Sequence, residues 1–210
     1  MQYSTFAAID IGSYDVILEI FEISKKQGIR SVDKICHRME LGKDTYTLGK
    51  IRPEMEEELC RVLADFVRIM EGYRVDDYRA TASSAISEAS NSLYVLGKIH
   101  QLTGLSVTVL SNSEQRFLSY KALAAMEDNF NKIIEKGTAI LDLDGGSFQI
   151  SLFDKDALVT TQNIRMGSLR IRERLAGIQS ETEHYEEMVE ELIWNEVSSF
   201  KKMYLKDRKI

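Results

Sequence analysis

Proline is nearly missing from this chain. Pro53 is the only one in 210 residues, and Cys36 and Cys60 are the only cysteines. Neither cysteine sits in a CxxC pair. They read as core or surface positions of a reduced cytosolic protein and exclude a disulfide frame. No apolar run approaches the ~18 residues of a membrane helix. The N-terminus has no basic start, and Asp10 interrupts its apolar run, so a signal peptide is not expected. Excess positive charge is lacking too. A net charge of −6 argues against a general nucleic-acid or anionic-membrane surface, and a polyanionic substrate would need local cations. No low-complexity segment appears. A composition of 44% hydrophobic and 29% charged residues is that of a soluble globular protein, expected in the cytoplasm.

The organising stretch is Asp142-Leu143-Asp144-Gly145-Gly146-Ser147-Phe148-Gln149, set between the apolar run 138–141 and the alternating run 149–153. It reads as strand, glycine turn, strand. Adjacent glycines let backbone amides approach a ligand and adopt φ > 0, which predicts an anion cradle with Gly145 or Gly146 left-handed. Asp142 at its entrance could hold a divalent cation. Taken alone, this stretch is better read as an ordinary hairpin with Asp and Gly as turn residues. A second copy alters that balance. Residues 7–21 repeat the pattern as Ile9-Asp10-Ile11-Gly12-Ser13 followed by a mixed strand ending in Phe21.

Around these loops the pattern predicts strands at 5–11, 16–24 and 30–40. A helix opens at Pro53, with Met55, Leu59, Val62, Leu63, Phe66 and Met70 on one stripe. A strand at 76–83, a helix over about 85–102, a short strand at 106–110 and a helix from Ser113 past Met126 follow. Strands recur near 138–143, 147–154 and 157–165, and a last helix spans about 181–204. The domain boundary is expected at 133/134, with 127–137 as the hinge.

Two Asp-x-Gly hairpins, each opening one half of the chain, resemble the superfold shared by actin, sugar kinases and heat-shock ATPases. Within it the chain is similar to the exopolyphosphatase / guanosine-pentaphosphate phosphohydrolase family. Supporting stretches are Met39–Lys43 with Leu48-Gly49, Arg79–Asn91, Val109–Arg116 and Arg165–Arg170. The resemblance implies an α/β, actin-like (ribonuclease H-like) domain, with a mixed sheet flanked by helices over 1–133. The start of a second such domain would occupy 134–210, shorter than the family's. The uncovered surface would be supplied by a partner copy, giving a homodimer, or by a swapped element. The resemblance also implies phosphoanhydride hydrolysis of polyphosphate or a guanosine polyphosphate with Mg²⁺. It places catalytic roles at Glu114 and Gln149. Phosphate contacts fall at Gly12, Ser13, Ser83, Gly145, Gly146, Ser147 and Arg165, and metal contacts at Asp10, Asp142 and Asp144. Asp10 and Asp142 would face each other across a cleft.

The departures are specific. Tyr14, Asp15 and Ile17 stand where the family has Asn, Ser and Arg, and Ser83 and Ser87 where it has Thr and Arg. Asp144, Phe148 and Gln149 replace Gly, Thr and Glu. Two cations are lost and two acids added where anions should bind, and each like-charge contact could cost several kcal/mol on the order of magnitude of Coulomb's law in a partly dry cleft. Either Mg²⁺ recruits the acids, or Arg79, Arg116, Arg165 or Arg170 replaces the lost cations. Arg165 and Arg170 are preferred because they flank Met166-Gly167-Ser168. The residues thus support a hydrolase, or a non-catalytic member acting as a phosphate- or nucleotide-sensing or interaction module. A phosphotransferase is a third reading, without a visible adenosine-binding segment.

Overall fold

The computed structural model describes residues 3–126, 130–176 and 184–205. It divides into two compact units, Met1–Ser111 and Asn112–Ile210.

In the first unit, β1 (Ser4–Ile11), β2 (Asp15–Ser24) and β3 (Gly28–Arg38) form a meander. Then come α1 (Leu41–Leu48), α2 (Pro53–Gly72), β4 (Asp77–Ala82), α3 (Ser84–Ser87), α4 (Ser92–Thr103) and β5 (Val107–Val109). The sheet order is β3-β2-β1-β4-β5. β1 is antiparallel to β2 and parallel to β4, so the sheet is mixed. Alternation along β1 and β2 turns Ile9, Ile11, Leu18 and Ile20 into a core with Leu59, Leu63 and Phe66 of α2 and Val95 and Ile99 of α4. The stripe predicted for α2 is buried except for Met55, which packs at the margin.

Two features went unforeseen. α1 forms where no element was expected, entered through Glu40 in a left-handed conformation with φ 54°. The helix expected over 85–102 is broken at 88–91. The Asn91 side chain there is used elsewhere: its Oδ1 accepts Ile51 N–H, and its Nδ2 donates to Ile51 O and Glu56 Oε1. These bonds fasten the α1–α2 connection, and buried Asp44 adds to them by accepting Arg52 N–H and Nε–H.

The second unit runs α5 (Asn112–Met126), α6 (Phe130–Glu135), β6 (Thr138–Leu143), β7 (Phe148–Asp154), β8 (Ala157–Ile164), α7 (Ser168–Leu175) and α8 (Tyr185–Tyr204). Its antiparallel sheet has the order β6-β7-β8. β7 is buried nearly throughout because both its faces are covered. Phe148, Ile150 and Leu152 join Ile171, Leu175 and Phe200 beneath α7 and α8. On the opposite face, Phe153 meets the edges of Tyr120 and Phe130 from α5 and α6. This packing moves the division of the chain from the expected 133/134 to 111/112. Ser119 and Tyr120 of α5 bond to Asp142 and Ser151 of the second sheet. Residues 127–129 of the expected hinge lie outside the described residues, and 130–135 form α6. Residues 181–183 of the expected last helix also lie outside them. Among the described residues no helix is long and apolar enough to cross a membrane.

Candidate active site

The first loop joins β1 to β2. Gly12 N–H donates to Asp15 O at 3.0 Å, and a Cβ on Gly12 would lie 2.9 Å from that oxygen, so only glycine allows the approach. Ser13 O accepts Gly42 N–H, and Tyr14 O accepts the amides of Met39 and Glu40, which pins the loop to the start of α1. The Arg38 guanidinium stacks 4.2 Å from the centroid of the Tyr14 ring.

Ser13, expected as a phosphate contact, has its hydroxyl engaged within the protein. The residue is fully buried. Its Oγ lies 2.6 Å from Tyr46 Oη, which lies 2.8 Å from Ser84 Oγ. Ser83 is different. Its amide donates to Ile11 O at the end of β1, and its Oγ is buried without a partner among the described residues. A buried hydroxyl left over beside the loop is the feature a bound oxyanion would satisfy. Asp10 is exposed at the end of β1. Asp15 lies near Cys36 of β3. The Cys36 thiol is pushed up by desolvation first and by the Asp15 carboxylate second.

The second loop joins β6 to β7. Asp144 N–H donates to Ser147 O, and Asp144 Oδ1 accepts Gly145 N–H. The loop carbonyls point at α7. Asp144 O accepts Ser168 N–H, Gly145 O accepts the amides of Leu169 and Arg170, and Gly146 O accepts Arg170 Nε–H at 2.8 Å. The amides that open α7, which could otherwise have received an anion, are thereby used. A Cβ on Gly167 would stand 2.4 Å from Asp144 O, Gly145 C and Ser147 N. Gly145 and Gly146 are buried under this first helical turn. Neither is left-handed: the described glycines with positive φ are Gly28, Gly49 and Gly104. The expected left-handed cradle is therefore not formed, because the turn is shaped by its bonds to α7.

On the other side of the loop a polar row crosses all three strands. Asp142 pairs in register with Gln149, and Gln149 with Asn163. The alternation that sends Phe148 into the apolar layer aims Gln149 into this row. Asp142, Asp144, Ser147, Gln149 and Asn163 line a concavity of about 20 Å³ together with Asn112, Gln115 and Arg116 of α5. That is room for about one water molecule. Asp142 Oδ2 accepts a hydrogen bond from Ser119 Oγ at 2.8 Å. Arg116 Nη2 donates to Ser113 Oγ. Asn163 Oδ1 is buried without a partner among the described residues.

The expected site residues of the second unit are thus partly assembled. Asp142, Asp144, Ser147 and Gln149 converge. Glu114 is exposed at the start of α5 and Arg165 is exposed after β8, and neither lines the concavity. Arg170 is held by the loop carbonyl. The cation at the concavity is Arg116, ranked behind Arg165 and Arg170 in the sequence reading. Asn163 and Ser119 were missed. The cross-strand register with Gln149 could have located Asn163.

Among the described residues no three His, Cys, Asp or Glu side chains converge as a metal cage. Mg²⁺ needs no such cage. It retains waters and binds through one or two carboxylates. Asp142, Asp144 and the unpartnered Asn163 Oδ1 supply hard oxygen donors of that kind.

The family model described as the Ppx/GppA phosphatase family matches residues 19–209. The bifunctional 3-dehydroquinate synthase/phosphatase of Fusobacterium nucleatum is 22% identical over 174 residues, 80% of this chain and 26% of that protein. Exopolyphosphatase 1 of Mycobacterium leprae is 25% identical over 144 residues, covering 68% and 41%. The crystal structure of the Aquifex aeolicus Ppx/GppA family member is similar with a TM-score of 0.70 and 23% identity, over 95% of this chain and 63% of that one. The chain therefore spans less than half the length of these two curated relatives.

Proposed function

This chain belongs to the Ppx/GppA phosphatase family, and from that premise we propose that it hydrolyses a phosphoanhydride, in inorganic polyphosphate or a guanosine polyphosphate. The observation that carries the reading is the polar row Asp142–Gln149–Asn163 around a water-sized concavity, with Arg116 beside it. Phosphoryl transfer asks the protein mainly for positioning and for charge compensation. Arg116 offers the compensation. The amides of Gln149 and Asn163 hold a water by donating to and accepting from it, and neither can serve as its base. The resemblance gives the role of proton acceptor to Glu114, in the first turn of the helix α5 that also carries Arg116. Within the first unit, taken by itself, Ser83 Oγ and the Gly12 loop are the candidate phosphate contacts. Asp142 and Asp144 of the second unit would hold Mg²⁺, which offsets the substrate's negative charge when bound.

The test is phosphate release from long-chain polyphosphate and from guanosine pentaphosphate, with Mg²⁺ and with chelator. Wild type, Glu114→Ala and Asp142→Asn are compared. Metal-dependent release that falls at least 10²-fold in Glu114→Ala is expected. The non-catalytic reading draws support from the engaged Ser13 hydroxyl and the absent arginines at Ile17 and Ser87. It predicts no release from wild type, and release only after Ile17→Arg, Ser87→Arg and Gln149→Glu are combined.

A further inference from the structure

β7 is built of residues that belong in an interior, with one exception. Ile150, Leu152 and Phe153 are buried apolar side chains, and Ser151 among them is 1% exposed. A serine at the centre of a buried strand lacks the branching that favours strands, and burying its hydroxyl costs free energy unless it is bonded. Its Oγ is bonded on two sides. Tyr120 Oη of α5 donates to it at 2.5 Å, and Thr161 Oγ1 of β8, its cross-strand partner, lies 3.2 Å away. The Tyr120 ring meets Phe153 edge-on, which aims the hydroxyl. At the far end, Arg116 Nη1 donates to Thr161 Oγ1 at 3.5 Å. The protons can be ordered along this row. Ser151 receives from Tyr120, and Thr161 receives from the guanidinium, which can only donate. The proton of the buried Ser151 then has Thr161 Oγ1 as its acceptor, so Thr161 takes a hydrogen bond from each side.

Alternation puts Ser151 and Thr161 on the same face as Gln149 and Asn163, two residues along their strands. They form a second polar row next to the one that borders the concavity, and Arg116 is tied to it from α5. Arg116 Nη2 donates to Ser113 Oγ at 3.2 Å, so helix and sheet each hold one nitrogen of the guanidinium. An arginine carries five N–H donors, and these two bonds fix it without exhausting it. On the reading of Arg116 as the cation of the site, we propose that Ser151 and Thr161 are positioning residues, whose hydroxyls hold its guanidinium in one orientation at the concavity. A long arginine side chain loses much rotamer entropy when it is ordered, and a tether meets that cost during folding, before the substrate arrives. A preorganised donor is worth most where charge develops, so the effect falls on turnover more than on binding.

Two readouts on the complete chain test it. The first needs no ligand: heteronuclear NMR relaxation of the Arg116 Nε–H, assigned by its loss in Arg116→Lys. That group is expected to be ordered in the wild type and mobile in Thr161→Val, which keeps the shape and removes the acceptor. Thr161→Ser restores the order, and Ser151→Ala loosens it. The second readout is phosphate release from long-chain polyphosphate. Thr161→Val lowers kcat roughly tenfold, the scale of one hydrogen bond to a charged group, with KM little changed, and Thr161→Ser recovers it. In an Arg116→Ala background Thr161→Val adds nothing, since both changes then remove one interaction. An Arg116 Nε–H as ordered in Thr161→Val as in the wild type would overturn the proposal, as would a Thr161→Val loss that persists in full without Arg116. A wild type that releases no phosphate would sink the hydrolase reading alone, and the relaxation result would still decide between a held and a loose guanidinium.

Discussion

Tyr46 is the side chain that changes the meaning of the first loop. Its hydroxyl bridges Ser13 and Ser84, and a buried hydroxyl stripped of its partner costs about 1–3 kcal/mol. Tyr46→Phe is therefore expected to lower stability by about 1–2 kcal/mol in urea unfolding, even though it removes one atom. An unchanged midpoint would mean that Ser13 finds another partner. Asp15 gives a second residue-scale expectation. Its carboxylate helps hold the nearby Cys36 thiol above the ordinary range, which lowers the thiolate fraction at neutral pH. Asp15→Asn removes that contribution, so the thiol titrates lower and iodoacetamide labels it faster, with Cys36→Ser as the control. An unaltered pH–rate profile would place the acid elsewhere. Some of this scale could be read from the sequence. Strand alternation is local, so Phe148 and Gln149 were assigned to the correct faces. The engagement of Ser13 could not be foreseen, because Tyr46 lies 33 positions away on a helix that no periodicity announced. Arg116 was undervalued for a related reason: its place depends on α5 lying against β6–β8.

At the scale of elements, the second loop and α7 form one construction. Gly167 has an ordinary φ of −71°, so it is required for space and not for conformation. Gly167→Ala would drive a methyl group into the backbone of residues 144–147. A loss of about 1–3 kcal/mol is expected from such overpacking. It would be read as a lower midpoint in urea, with a perturbed amide of Ser147 in NMR spectra. A neutral substitution would show that the turn can retreat. The strands and α2 were legible because burial imposes clean periods of two and 3.6 on them. α7 was not, since Ser168–Leu175 carries three arginines and a glutamate between its few buried apolar positions. The break between α3 and α4 was hidden as well, because it is set by where the Asn91 amide is needed.

For the molecule as a whole, the repeated Asp-x-Gly hairpin correctly announced two sheets, each opened by the same strand–loop–strand. The boundary was misplaced because sequence order suggests that a helix belongs with the strand before it, whereas packing gives α5 to the strands after it. The two cores differ in extent, the first drawing on two sheet-covering helices and five strands and the second on a three-stranded sheet. Trp194 is the single tryptophan and belongs to the second unit. In guanidinium unfolding, its fluorescence is expected to change at a lower midpoint than far-ultraviolet dichroism, which reports both units. Coincident curves would mean that the chain unfolds as one cooperative body.

The bonds between the Asp144–Ser147 turn and the opening of α7 have a mechanical consequence. Four hydrogen bonds and a glycine contact without slack join them, so the turn cannot shift while the helix stays still. α7 then behaves as a stiff lever, with its tip at the glycine turn and its body, through Ile171 and Leu175, embedded in the apolar layer shared with α8. A displacement at the tip is passed on as a tilt, and close-packed interiors transmit such strain instead of absorbing it. The arrival of an anion at the loop would thus be felt on the far side of the sheet, where the methyl groups of Ile171 and Leu175 would register it.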